Sequence, residues 1–326
     1  MGGNLFKAGR VDKERYEEIL ASLKPILDKH FGERYGIPTP YHSKADYGDV
    51  DIILDAGIVL NRPNWFVEIC NDLGVVETHK VRNVMSMLYQ NFQVDFFMTP
   101  TSEFESSLNF MSYNILGNLI GRIYHKFNLR YGEAGLFYVL RGYNNHVSKE
   151  IIVSRDMARI LDFIGLSYLR WKQGFNSVED IFDYVVSSPM FCSNSYDPAF
   201  FNVRKRATER PDFVKFLEYL ETNKITKNYP FIQPRENYIP DIDMYFETNL
   251  KEAYEKHVLR QEILEKLSKK FNGGIIMELT GITGKELGVF MNNYKEGFKD
   301  IQAFEDFILG ATKKEIEQDI LLHATK

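Results

Sequence analysis

One short run constrains this chain more than any other: Gly48-Asp49-Val50-Asp51-Ile52-Ile53-Leu54. Its β-branched, apolar residues after a glycine read as a strand leaving a turn. Side chains two apart on a strand share a face, so Asp49 and Asp51 project side by side. Carboxylates that close repel one another. A divalent cation relieves that repulsion, and hard oxygen ligands suit it. The strand is therefore expected to form one wall of a Mg²⁺ site.

A third acid extends the pattern. Gln93-Val94-Asp95-Phe96-Phe97 reads as a second strand with one aspartate among apolar residues. An isolated carboxylate in such a strand is costly unless paired or metal-bound. If the two strands are neighbours, Asp95 reaches the site built by Asp49 and Asp51. Three carboxylates can hold two Mg²⁺ ions about 3.5–4 Å apart, with Mn²⁺ as a substitute.

The constellation resembles the DNA polymerase β-like nucleotidyltransferase superfamily. That pattern is a Gly-Ser turn, then Asp-x-Asp on one strand, then an Asp on a neighbouring strand. Gly48-Asp49-Val50-Asp51 and Val94-Asp95-Phe96 stand in those places. Two further stretches are similar to a viral and fungal nucleotidyltransferase-like subgroup. They are Pro40-Tyr41-His42-Ser43-Lys44 and Ser112-Tyr113-Asn114 with Gly117 to Arg122. The resemblance covers about the first third of the chain. It implies transfer of a nucleoside monophosphate from an NTP, ATP included, to an acceptor hydroxyl with release of pyrophosphate. Asp49, Asp51 and Asp95 would be the catalytic and metal-binding residues. His42, Ser43, Lys44 and Gly48 would contact the nucleotide. The chain departs from the family at the Gly-Ser turn, where His42 precedes Ser43. Lys44 then serves as a point charge on the phosphates.

An RNA 3′ end, with tRNA as a candidate, is the favoured acceptor. A protein hydroxyl or a small molecule is the alternative acceptor. Two other classes compete: a non-catalytic binding module that keeps the fold, and a metal-dependent phosphodiesterase. The RNA reading leans on the C-terminal part. There Thr280-Gly281-Ile282-Thr283-Gly284-Lys285-Glu286-Leu287-Gly288 opens a helix. It loosely resembles a helix start in the tails of tRNA nucleotidyltransferases and poly(A) polymerases. Lys266, Lys269 and Lys270 lie upstream. With Lys285, Lys269 and Lys270 are expected to contact phosphates. The spacing is not that of a Walker A loop.

The expected fold class is α+β: a small mixed nucleotidyltransferase-type sheet with helices, followed by largely helical domains. Residues 1–105 are read as the catalytic domain, 106–223 as a helical domain, and 224–326 as a connector and helical tail. Within the first, Val11 to Phe31 has helical spacing, with Pro25 a candidate kink. Pro63 to Leu73 reads as a helix. Val75 to Glu77, Val81 to Tyr89 and Phe92 to Met98 read as strands, with Gln90-Asn91 as a turn. Glu133 to Leu140 reads as one of five helices after Pro100. Lys224 to Glu247, with three prolines, reads as a connector. Leu250 to Phe271 reads as a long amphipathic helix, followed by a Gly-rich turn and two more helices. A second Asp-x-Asp, Asp241-Ile242-Asp243, follows Pro240 and lacks a glycine turn. It reads as a loop or helix-cap element.

The net charge of −5 argues against a protein that coats nucleic acid through its overall field. Only two cysteines occur, Cys70 and Cys192, in no metal-ligand spacing. They are expected to be buried thiols in a reducing compartment. With no apolar leader and no run near 18 apolar residues, the chain is expected to be cytoplasmic and not membrane-bound.

Overall fold

The computed structural model describes residues 5–324. The chain runs β1 (Val11–Asp12), α1 (Lys13–Phe31), β2 (Tyr35–Gly36), β3 (Asp46–Tyr47), β4 (Asp49–Asp55), α2 (Trp65–Leu73), β5 (Thr78–Val81), β6 (Val84–Tyr89) and β7 (Phe92–Thr99). It continues with α3 (Phe104–Met111), α4 (Leu116–Tyr124), β8 (Leu129–Gly132), β9 (Gly135–Arg141) and β10 (Val147–Ser154). Next come α5 (Met157–Phe163), α6 (Tyr168–Gln173), α7 (Val178–Ser187), α8 (Phe201–Glu209), α9 (Pro211–Thr222) and α10 (Ile239–Phe246). The last five helices are α11 (Leu250–Lys270), α12 (Gly273–Thr280), α13 (Gly284–Glu296), α14 (Ile301–Gly310) and α15 (Lys313–Ala324). The fold is α+β, with small mixed sheets and a helical C-terminal region. No described helix is long and apolar enough to cross a membrane.

Two compact units emerge. One holds Met1–Val139 and Glu150–Thr248, the other Leu140–Lys149 and Asn249–Lys326. The first is built on a five-stranded sheet of order β2-β4-β7-β6-β5. β4 and β7 are parallel, and the other neighbours are antiparallel. Such a sheet, covered by helices, has near-continuous apolar central strands. Accordingly Val50, Ile52, Ile53, Leu54, Val94 and Phe96 are buried. α1 packs Tyr16, Ile19, Leu23, Leu27 and Phe31 into the same core. These positions recur every three or four residues, the spacing of one helix face. Phe31, Trp65, Phe66 and Phe96 meet edge-to-face at centroid distances of 5.4–6.3 Å. α1 runs unbroken through Pro25 and ends at Gly32, whose φ of 57° suits glycine. Between β6 and β7, Gln90 and Asn91 both have positive φ, as a tight two-residue hairpin turn requires.

Several local expectations fail, each for a physical reason. Glu133 to Leu140 is not a helix. Gly132 pairs with Gly135 across a tight turn, and Leu136 to Leu140 form most of β9. A short apolar run does not separate helix from strand by periodicity, and its aromatic and β-branched content favours strand. A Cβ on Gly135 would lie 2.7 Å from the Ser154 carbonyl, so β10 can approach there only against glycine. Val75 to Glu77 is not a strand, and the edge strand β5 starts at Thr78. The stretch from Lys224 to Glu247 is not only a connector, because it carries α10.

The chain ends in four helices after α11, not two. Asn272 and Asp300 cap backbone amides at the starts of α12 and α14, and Thr312 does so for α15. These caps divide what reads as continuous apolar periodicity. In this second unit Leu267, Phe271, Ile276, Tyr294, Phe304, Ile308, Ile316 and Ile320 form a separate core.

Candidate metal centre

The register of β4 against β7 sets the site. Asp49 lies opposite Gln93, and Asp51 opposite Asp95. All four residues therefore project from one face of two adjacent strands. Ligand atoms of Asp49, Asp51 and Asp95 lie within 4.8 Å of one another. Burial, and then the charges of Asp49 and Asp95, push the Asp51 carboxyl up to about 8. Asp95 is 7% exposed. Its Oδ2 accepts a 2.8 Å hydrogen bond from the Gln93 amide, while its Oδ1 has no partner among the described residues.

A divalent cation fits this donor set. The ligands are hard oxygens, they converge, and a buried carboxylate oxygen is left without a donor. Asp49, Asp51 and Asp95 would hold it.

Lys44 lies within electrostatic reach of Asp49 and Asp51. Its ammonium donates to Asn114 Oδ1 at 3.3 Å and sits 4.6 Å from the centre of the Tyr47 ring. Burial lowers its pKa, against the pull of Asp49 and Asp51. Tyr47 stacks on Tyr16 at 3.8 Å, and both rings line a cavity of about 60 Å³ with Lys44, Asp49, Asp51 and Asn114. Asn114 follows Tyr113, and both have positive φ. That turn places the Asn114 amide between Lys44 and Asp212, its Nδ2 donating to Asp212 at 3.4 Å.

The loop that carries His42 and Ser43 is held from two sides. Thr39 accepts from the Tyr113 amide and donates its own amide to Ser112 Oγ. The His42 and Ser43 amides donate to the carbonyls of Phe175 and Asn176 at 2.9 and 2.8 Å. His42 Nδ1 lies 3.1 Å from Asn176 Oδ1. Those two amides are thus tied to the α6–α7 loop, and the Ser43 side chain is exposed. Gly48 is buried in the bend between β3 and β4, immediately before Asp49.

Other charged residues are engaged elsewhere or exposed. Arg62 bonds the His30 carbonyl and Glu68. Arg122 donates to the Ser195 carbonyl and lies over Tyr196. Lys80 and Arg82 are exposed on the β5–β6 hairpin. Gly117 packs closely on Phe110 of α3. The second Asp-x-Asp lies on α10, where Asp243 accepts from Thr248. In the second unit Lys270 donates to the Leu309 and Ala311 carbonyls, and Lys269 pairs with Glu265. Lys266 and Lys285 are exposed. Sequence reading passed over Gln93, although its place two residues before Asp95 puts both on one face. Asp212 carried no local signal, since only the folded chain brings it to Asn114 and Lys44.

No protein-family model matches the sequence, and no curated protein matches it. Among solved structures the chain is similar to a crystal structure of Leishmania infantum polymerase beta, a ternary P/T complex. The identity is 15% and the TM-score 0.34. The match covers 40% of this chain and 59% of that one, less than two thirds of the polymerase.

Proposed function

We propose that the protein is a metal-dependent nucleotidyltransferase that moves an NMP from an NTP to an acceptor hydroxyl and releases pyrophosphate. The observation that carries this reading is the convergence of the Asp49, Asp51 and Asp95 carboxylates around an unpartnered buried oxygen. Two Mg²⁺ ions, or Mn²⁺ in their place, would supply charge neutralisation on the triphosphate and acidify the attacking hydroxyl. Asp49 and Asp51 would hold both ions. Asp95 completes one site and orients the acceptor hydroxyl. Lys44, beside the acids, bears on the β- and γ-phosphates as a point charge. The Ser43 hydroxyl supplements it, with His42 and Gly48 shaping the turn. Positioning and electrostatics dominate such transfers, so the protein forms no covalent bond to the nucleotide.

The acceptor class we propose is an RNA 3′ end, with tRNA as a candidate. It rests on the resemblance and on the exposed Lys266 and Lys285 of the second unit. Lys270 is better explained by the α14 carbonyls it caps. We propose that residues 1–105 form the catalytic domain, 106–223 a helical domain, and 224–326 a connector and helical tail.

A second reading has its own observation. Because the His42 and Ser43 amides are committed to Phe175 and Asn176, the loop offers fewer phosphate donors than an open Gly-Ser turn. That favours a non-catalytic binding module. One experiment separates the two. The protein is incubated with Mg²⁺, each α-phosphate-labelled NTP in turn and total cellular RNA. Label entering RNA is the expected result. Absence of label from every acceptor fraction, with NTP intact, favours the binding module.

A further inference from the structure

Seen face-on, the paired strands offer a two-by-two patch: Asp49 and Asp51 on β4, Gln93 and Asp95 on β7. Three corners are carboxylates. The fourth is an amide, 5% exposed, and both of its polar ends are engaged. Gln93 Oε1 accepts the Leu5 backbone N–H at 3.0 Å, and Gln93 Nε2 donates to Asp95 Oδ2 at 2.8 Å. A backbone N–H can only donate, so it selects the oxygen end of the amide. The NH₂ end must then face Asp95. One amide of the N-terminal segment thus fixes which way Gln93 points.

We infer that Gln93 is a positioning residue for the metal centre, with the Leu5 amide setting its orientation. This rests on the reading of the three aspartates as metal ligands. By occupying Oδ2, Gln93 leaves Oδ1 as the Asp95 oxygen turned to the ions. It also pins the carboxylate's rotation, as hydrogen bonds from outside the ligand set do for metal-bound carboxylates. A glutamate at this corner would add a fourth negative charge and lose the donor. A lysine would compete with the ions for Asp95. A neutral donor avoids both.

The test uses the full-length protein and Mn²⁺ alone, titrated calorimetrically. Gln93→Met keeps roughly the side-chain volume and removes both polar ends. It is expected to weaken Mn²⁺ binding about tenfold or more, the usual effect of removing such a partner. Its melting temperature in a chelator is expected to fall, because Asp95 Oδ2 and the Leu5 N–H lose their partners, so Mn²⁺ affinity is compared at a temperature where both proteins are folded. Leu5→Pro removes the orienting N–H and fixes the backbone at that position, leaves the buried strand untouched, and is expected to weaken Mn²⁺ binding less, in the same direction. Wild-type Mn²⁺ affinity in both variants overturns the positioning role while leaving the three-aspartate site standing. A wild-type protein that binds no Mn²⁺ overturns the site reading and the positioning role together. If Gln93→Met does not fold, Leu5→Pro decides alone.

Discussion

The two ends of β4 carry the same residue in opposite circumstances. At its end, Asp55 is buried and fully satisfied. Its Oδ2 takes Arg34 Nε at 2.9 Å and Nη2 at 2.5 Å, and its Oδ1 takes Thr101 Oγ1 at 2.6 Å and the Gly57 amide at 2.9 Å. Burial pushes its pKa up, but hydrogen bonds from Thr101, Arg34 and Gly57 outweigh that and hold it below the ordinary value. At its start, Asp49 and Asp51 face Asp95 across the register, and Asp51 is driven upward. A carboxylate whose lone pairs are filled by fixed donors closes a fold. Carboxylates held against one another, with an oxygen left over, hold open a place for a cation. One strand does both, and the difference lies in the donors around each acid.

The largest expected effect is at the open end. Asp49→Asn should cut NMP transfer by a factor on the order of 10²–10³ or more, as loss of an electrostatic partner of the transition state does. Urea unfolding in a chelator should show it no less stable than the wild type, because a like-charge contact is relieved. The mirror-image change is Asp55→Ala, which leaves Arg34 and Thr101 without their acceptor. Breaking a buried pair costs about 3–5 kcal/mol, but Arg34 is half exposed, so about 2–3 kcal/mol is expected by urea unfolding. Transfer activity per folded molecule should persist.

Acid should separate the ends in the same way. The folded pKa of Asp55 is below its unfolded value, so its stabilisation is present above the unfolded pKa, about 3.9. It is lost as pH falls through the folded value. The wild type should therefore lose stability on acidification below about pH 4 more steeply than Asp55→Asn. Parallel slopes would show that the Arg34–Asp55 cluster contributes nothing to acid stability.

Smaller effects sharpen the comparison. Lys44→Met should raise the KM for NTP about tenfold and leave Mn²⁺ affinity near wild type or tighter, since a competing cation leaves the acids. Thr101→Val should cost about 1 kcal/mol, the value of one hydrogen bond, with no change in KM.

The open end was the more legible of the two in sequence. Asp49 and Asp51 lie two apart and Asp95 stands alone in an apolar strand, so period-2 geometry alone groups them. Asp55 gave no such signal, because its partners come from Arg34, Gly57 and Thr101, and only tertiary folding assembles them. The same limit hid Asp212 and the ties from His42 and Ser43 to the α6–α7 loop. The hairpin at Gly132–Gly135 was missed for another reason: a five-residue apolar run fits either periodicity. The tail's helices were undercounted because Asn272, Asp300 and Thr312 act as caps only once the backbone turns.

The most direct test of the contrast between the ends of β4 is the shift in melting temperature caused by Mg²⁺. An ion that binds only the folded state stabilises it by mass action. Wild type, Asp49→Asn and Asp55→Asn are melted in chelator and in saturating Mg²⁺. The account predicts an upward shift in the wild type and in the less stable Asp55→Asn, and its loss in Asp49→Asn. A shift retained in Asp49→Asn, or none in the wild type, would contradict it.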